Sequence, residues 1–156
     1  MSDAGSGFFI YEDDPDTPGW KRWRLRDSTR FNAFLEPLRV KVEDGQARVR
    51  MTPRHDPSNM RGDMHGGALL GFMDVSLFAG ARALGVLQAG GAATVDLSAQ
   101  FIGGARVDAP LEARIELLRE TKRMLFMRGL IVQEGQSTIA SFTATLRKSS
   151  PLPQNP

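Results

Sequence analysis

The longest apolar stretch of the sequence limits what this chain can fold into. Residues 66 to 81 read GGALLGFMDVSLFAGA, in which only Asp74 and Ser76 are polar. A helix of about 20 residues starting here would be about 30 Å long and apolar on nearly every side. A membrane helix is the alternative, but the run is short and carries a carboxylate at its centre. We therefore expect a buried helix, whose glycines allow another backbone to come close.

The rest of the chain supplies strands that can surround this helix. Two alternating segments flank Asp44-Gly45 in LRVKVEDGQARVRM, which is a strong hairpin pattern. The segment DSTRFNAFLEPL has Phe31, Phe34 and Leu35 at helical spacing and predicts a short helix. Later segments rich in β-branched and bulky apolar residues predict four more strands, at 94–101, 109–118, 124–132 and 137–146. The pattern indicates an α+β domain with an antiparallel sheet of about six strands wrapped around one long central helix.

The two ends of the chain depart from this pattern. Residues 1–26 have no sustained period, so we expect an N-terminal arm or loop that is packed down by aromatic residues such as Trp20 and Trp23. Residues 27–148 would form the domain and residues 149–156 a C-terminal tail. The 156 residues are enough for one domain with its own core.

Composition excludes several classes of protein. The absence of cysteine removes disulfides, thiolate metal sites and a cysteine nucleophile, which is consistent with a reducing cytoplasm. A net charge of +2 is too even for a general nucleic-acid-binding protein. The N-terminus lacks the basic start and apolar core of a signal peptide. We expect a cytoplasmic protein with no membrane span and no nucleic-acid partner.

The predicted helix brings together two features that matter for chemistry. Gly66 and Gly67 lie at its start, where unpaired backbone amides and the helix dipole favour an oxygen that carries negative charge. Asp74 lies at its centre, where a carboxylate can accept a proton from water or attack an acyl carbon. Structural roles remain open for both: helix-start glycines often bind nothing, and a buried aspartate can cap a neighbouring element or pair with an arginine.

The spacing of these groups limits how they can act together. Gly67 and Asp74 are separated by about two helical turns, or about 10 Å along the axis. One copy of the helix therefore cannot bring its amides and its carboxylate to the same carbonyl group. Two antiparallel helices across a two-fold axis would place the start of each against the middle of the other. We therefore predict an obligate homodimer with two shared sites.

Two polar residues before the helix are further candidates. His65 can hold a substrate carbonyl or orient the loop, and Asn59 can brace the loop or position water, although both residue types are often purely structural. His55, Asp56, Asp63 and His65 match no standard metal-binding spacing, so no metal site is expected.

Together these residues resemble a known motif. The pattern of Asn59, then His65-Gly66-Gly67 starting six positions later, then Asp74 nine positions after His65, is similar to the signature of the hot-dog-fold acyl-CoA thioesterases. The branch concerned contains the PaaI thioesterases and the human thioesterase superfamily member 2. The resemblance extends from about residue 31 to residue 147.

The resemblance implies a role for each matching residue. Asp74 would be the general base or nucleophile, and the Gly66 amide would polarise the thioester carbonyl. His65 and Asn59 would support that carbonyl and its loop, while Thr94 would help to hold the attacking water. Asn59, His65 and Gly66 would come from one subunit, and Asp74 with Thr94 from the other.

The resemblance also implies the substrate and the assembly. The substrate would be a small, medium-chain or aromatic acyl-CoA, with no separate cofactor because coenzyme A is part of the substrate. Its phosphates would contact basic loop residues, for which Arg106, Lys122 and Arg123 are candidates. The dimer would pair further into a tetramer. A non-catalytic acyl-CoA-binding or regulatory protein and an acyl-CoA hydratase or dehydratase are the alternatives on the same fold.

Overall fold

The described part of the chain contains one α-helix, one short 3₁₀ helix and eight strands. This computed structural model describes residues 8–88 and 91–149, so of the predicted tail only residue 149 lies within the described residues. The helix, α1, spans Gly66–Ala83, and a short 3₁₀ helix spans Phe31–Leu35. The strands are β1 Phe9–Asp13, β2 Lys21–Leu25, β3 Leu38–Glu43, β4 Gln46–Met51, β5 Ala92–Phe101, β6 Leu111–Glu120, β7 Met124–Gln133 and β8 Ala140–Lys148.

All eight strands form one antiparallel sheet. Its order is β1-β2-β3-β4-β6-β7-β8-β5, so β1 and β5 are the edge strands. The four strands predicted in the second half are present, each with ends within three residues of the predicted ones. The predicted hairpin is also present: Asp44 and Gly45 have φ values of 52° and 73°, the left-handed conformations that a two-residue hairpin turn requires.

The sheet wraps around α1, as the apolar helix predicted. The buried side chains of α1 include Leu69, Phe72, Met73 and Leu77, which pack into the core with residues of the sheet. Position 80 leaves little room for a side chain, because a Cβ at Gly80 would lie only 3.2 Å from both Ala47 Cβ and Ile115 Cδ1. The sheet therefore approaches the helix backbone very closely.

The prediction of about six strands was too low because the N-terminal segment contains two more. In β1 and β2, Phe9 pairs with Leu25 and Tyr11 with Trp23, and Trp23 then pairs with Leu38 of β3. The described part of the segment predicted as an arm or loop therefore continues the main sheet. FIYED does not alternate apolar and polar residues, and KRWRL does so only weakly, so it is the pairing of β2 with β3 and of β1 with β2 that makes these strands part of the sheet.

A buried carboxylate holds this N-terminal hairpin in place. The Asp14 side chain is fully buried and accepts hydrogen bonds from Arg39 Nε, from Arg22 Nε at 3.0 Å and from the Asp16 amide at 3.1 Å. The bond from Arg39 is the main reason why the pKa of Asp14 lies far below its usual value. The hairpin is thus tied to β3 by charge as well as by backbone hydrogen bonds.

The segment before β3 also differs in detail from its prediction. The predicted helix is a single 3₁₀ helix, and only one of its three helically spaced apolar residues is fully buried. Leu35 is 1% exposed, whereas Phe31 is 58% and Phe34 is 40% exposed. Among the described residues, no helix is both long and apolar enough to cross a membrane.

Candidate active site

Asp74 and Thr94 form the first half of the candidate site. The Thr94 hydroxyl donates a hydrogen bond of 2.6 Å to Asp74 Oδ1, which links the middle of α1 to the start of β5. Asp74, which the sequence places in a buried helix, is half-buried within one chain. The reason is that the helix face with Leu70 and Asp74 is not fully covered by the sheet.

A β-bulge turns Thr94 towards the helix. Leu97 pairs with buried Ala144 on the inner face of the sheet, and strict alternation from there would place residue 95 inside and Thr94 outside. The register shifts between Thr94 and Asp96, which leaves Val95 without a partner and 58% exposed. Thr94 consequently pairs with buried Leu146 and faces Asp74.

His65 and Gly66 form the second half of the candidate site. His65 caps α1, and its Nδ1 accepts a hydrogen bond of 2.9 Å from the Gly67 amide. An accepting Nδ1 carries no proton, so the neutral ring has its proton on Nε2, where it can donate to a ligand. The Gly66 amide has no acceptor within residues 8–88 and 91–149, and it remains available at the positive end of the helix.

Asn59 braces the loop that leads to this helix start. Its side-chain Oδ1 accepts hydrogen bonds from the Arg61 amide at 2.8 Å and the Asp63 amide at 3.3 Å. The Asn59 backbone amide donates a hydrogen bond of 2.7 Å to the Asp63 carbonyl. Of the two roles considered for Asn59, the observed contacts correspond to bracing the loop.

The two halves of the site do not meet within one chain. Asn59, His65 and Gly66 cluster at the start of α1, while Asp74 and Thr94 lie about two turns further along it, or about 10 to 12 Å. A Michaelis complex needs the oxyanion donor and the base within hydrogen-bonding distance of the same small group. One chain therefore holds two half-sites.

The three candidate phosphate contacts are also separated. The Arg106 amide donates to Gln133 Oε1 at 2.8 Å, so Arg106 lies at the end of β7. The isolated bridge between Asp63 and Arg106 places it near the loop before α1. Lys122 and Arg123 precede the first residue of β7, a strand of ten residues that is about 30 Å long.

One cavity of the described chain lies away from the predicted site residues. A cavity of about 610 Å³ is on the outer face of the sheet, where Ser98, Arg128 and Thr143 line it, and it contains none of the predicted site residues. A site that one chain only half encloses would form no deep pocket in that chain, so Asp74 and Thr94 remain the candidate residues although they do not line this cavity. The described residues contain no group of three or more side chains suited to a metal ion.

Comparison with known proteins identifies the family. The model of the thioesterase superfamily matches residues 61–140, just over half of the chain, including the helix, Asp74 and Thr94. No curated protein matches the chain.

Solved structures share the fold. A mutant of the phenylacetic acid degradation protein PaaI of Thermus thermophilus is 28% identical, covers 71% of this chain and 92% of its own, and has a TM-score of 0.58. The E. coli PaaI protein is 20% identical, with 72% and 80% covered and a TM-score of 0.62. A hypothetical thioesterase of Streptococcus pneumoniae, solved with coenzyme A, is 21% identical, with 74% and 93% covered and a TM-score of 0.62.

These matches confirm the hot-dog fold and the PaaI-like resemblance that the Asn59 to Asp74 motif indicates. The family match over more than half of the sequence shows that this chain belongs to the thioesterase superfamily.

Proposed function

We propose that the protein is an acyl-CoA thioesterase with two active sites, each shared by both chains of a homodimer. The observation that carries the proposal is the 2.6 Å hydrogen bond from Thr94 to Asp74, which orients a carboxylate on a helix face that the sheet does not fully cover. Membership of the thioesterase superfamily supports the reaction type. The coenzyme A in the related Streptococcus structure supports a CoA thioester as substrate.

The half-sites have complementary chemistry. Asp74 accepts a proton from a water molecule, and the water oxygen adds to the thioester carbonyl carbon. The Gly66 amide, with His65 Nε2 beside it, stabilises the negative charge that forms on the carbonyl oxygen. The C–S bond then breaks, the leaving sulfur takes the proton that Asp74 accepted, and free acid and CoA are released with the Asp74 carboxylate restored. Direct attack by Asp74 with an anhydride intermediate is the alternative route.

A dimer supplies the geometry that one chain lacks. Among the described strands, β5 pairs with β8 alone, so its other edge can pair with β5 of a second chain. Antiparallel pairing would bring the start of one helix towards the middle of the other, and Gly66 of one chain would face Asp74 of its partner. We further propose that two such dimers form a tetramer.

The same arrangement brings the basic candidates together. Arg106 lies beside the loop before α1. The Arg123 carbonyl accepts a hydrogen bond from the Lys148 amide, and Lys148 pairs with Ala92. Arg123 therefore lies near the start of β5, the strand that contains Thr94. Across the dimer, Arg106 of one chain and Lys122 and Arg123 of the other would flank one site. There they would bind the phosphates of CoA.

The reaction is tested by measuring free thiol release from a panel of acyl-CoA substrates. Asp74→Asn should lower kcat by about 100-fold or more, because it removes the proton acceptor. The matched control is Asp96→Asn, an exposed residue that pairs with Thr145 on the outer face of the sheet and should leave kcat unchanged. Equal activity of wild type and Asp74→Asn would refute the assignment of Asp74.

The shared site is tested with a second variant, Gly66→Pro, which removes the proposed oxyanion donor. Proline is favoured at the first helical position, and His65 already has the φ of −61° and ψ of 138° that a residue before proline prefers. Homodimers of Asp74→Asn and of Gly66→Pro should each be inactive. Random mixing of the two should restore about a quarter of wild-type activity, because half of the dimers then contain one intact site. No restoration after verified exchange would place the site within one chain.

The panel also separates the alternatives. Binding of acyl-CoA without any hydrolysis by the wild type would identify a non-catalytic binding protein. Hydration of an enoyl-CoA without thiol release would identify a hydratase.

A further inference from the structure

Two exposed aromatic rings lie beside the candidate site. Phe31 is 58% exposed and Phe34 is 40% exposed, and their ring centroids are 6.1 Å apart with an angle of 27° between the planes. Large apolar side chains that are exposed next to each other are typical of a surface that binds a ligand or another protein. The proposed mechanism uses neither ring.

Gly71 determines where the Phe31 ring rests. A Cβ on Gly71 would lie 2.8 Å from Phe31 Cζ and 3.1 Å from Phe31 Cε1. The ring therefore lies directly against the backbone of α1, at a position where even alanine would push it away. Leu70, which is 38% exposed, extends the same apolar surface.

This aromatic surface is next to the reacting carboxylate. Gly71 and Asp74 are three residues apart, so they share one face of the helix and are separated by about 4.5 Å along its axis. Helical side chains lean towards the helix N-terminus, which directs the Asp74 side chain towards the turn that contains Leu70 and Gly71. An acyl group whose carbonyl lies at Asp74 would meet the Phe31 ring within about one turn.

We propose that Phe31, seated on Gly71, determines which acyl groups the enzyme accepts. A flat aromatic acyl group stacks on the exposed ring, whereas a long straight chain must bend past it. Phe31 and Asp74 belong to the same protomer, so this wall of the acyl pocket does not depend on the partner chain. The inference rests on the proposed thioesterase function and adds the residue that sets its selectivity.

The test compares kcat/KM for benzoyl- and phenylacetyl-CoA with kcat/KM for octanoyl- and decanoyl-CoA. Phe31→Ala should lower the aromatic values by about tenfold, as expected for the loss of a stacked and buried ring contact, and should leave the long-chain values unchanged or raised. Gly71→Ala should also lower the ratio of aromatic to long-chain kcat/KM, because its methyl group displaces the Phe31 ring. Phe126→Ala, an exposed phenylalanine on the outer face of the sheet (38% exposed), is the matched control and should not change the ratio.

The possible outcomes are distinct. If the wild type hydrolyses some of these substrates but Phe31→Ala changes all of them equally, the role of Phe31 is refuted and the thioesterase function stands. Loss of the dimer without a change in the ratio would also refute it and would assign the ring to the interface. If the wild type neither binds nor hydrolyses any acyl-CoA, the thioesterase function falls, and this inference with it. Phe31→Leu, which keeps the apolar bulk but not the ring, should reproduce the lower ratio if Phe31→Ala is unstable.

Discussion

At the scale of single residues, the Thr94 hydroxyl holds the Asp74 carboxylate in place through a hydrogen bond. Thr94→Val has nearly the same shape but removes the donor of the 2.6 Å hydrogen bond, and we expect kcat to fall by about 10- to 100-fold with little change in KM. Thr94→Ser keeps the hydroxyl and should retain most of the activity. Steady-state kinetics of the three proteins, with thermal unfolding as a check on folding, measures the effect. Equal kcat for Thr94→Val and the wild type would exclude Thr94 from the reaction.

At the scale of secondary-structure elements, the close packing of α1 against the sheet gives a stability prediction for Gly80. Replacing a helical glycine removes a penalty of up to about 1 kcal/mol, which favours Gly80→Val. Its Cβ, however, would lie 3.2 Å from both Ala47 Cβ and Ile115 Cδ1, and overpacking of this kind costs about 1 to 3 kcal/mol. The cost of overpacking should exceed the gain from replacing the glycine, so Gly80→Val should have a lower free energy of unfolding than the wild type, as measured in urea.

A second substitution provides the control for Gly80. Ile115→Ala removes the Cδ1 atom that the new side chain would meet, so the double variant should be more stable than the sum of the two single effects predicts. Strict additivity, or a stabilised Gly80→Val, would show that the helix and the sheet are not in close contact here.

At the scale of the whole molecule, the N-terminal hairpin should detach in acid before the rest of the sheet unfolds. The pKa of Asp14 is lowered mainly by its hydrogen bond from Arg39, so its contribution to stability is complete above the unfolded-state pKa of about 4. That contribution is lost as the pH falls towards the folded-state pKa. Trp20 and Trp23 are the two tryptophans of the chain, and their fluorescence reports on this hairpin.

The control for this pH effect is a carboxylate that is not buried. Asp14→Asn should be less stable than the wild type at pH 7, and its tryptophan fluorescence should change less between pH 5 and pH 2. Asp13→Asn should behave like the wild type, since Asp13 is 91% exposed and exposed ion pairs contribute little. Identical pH curves for wild type and Asp14→Asn would contradict the role of Asp14.

Much of the fold was predictable because its patterns are local. The apolar run from residue 66, the Asp44-Gly45 turn and four later strands each carry their own periodicity or turn chemistry. The spacing from Gly66 to Asp74 likewise depends only on helix geometry, and that geometry is enough to predict a shared site. Strands β1 and β2 were missed because FIYED does not alternate apolar and polar residues and because β2 joins the sheet through its pairing with the more distant β3.

What the sequence alone determined is therefore the central helix, its exposed amide end and a carboxylate two turns further on. Tertiary structure decided which side chains accompany that carboxylate. Thr94 faces Asp74 because a bulge at Val95 changes the phase of β5, and Phe31 rests on the helix because Gly71 leaves room for its ring. Neither could be read from a local pattern, since each depends on how a distant segment pairs or packs.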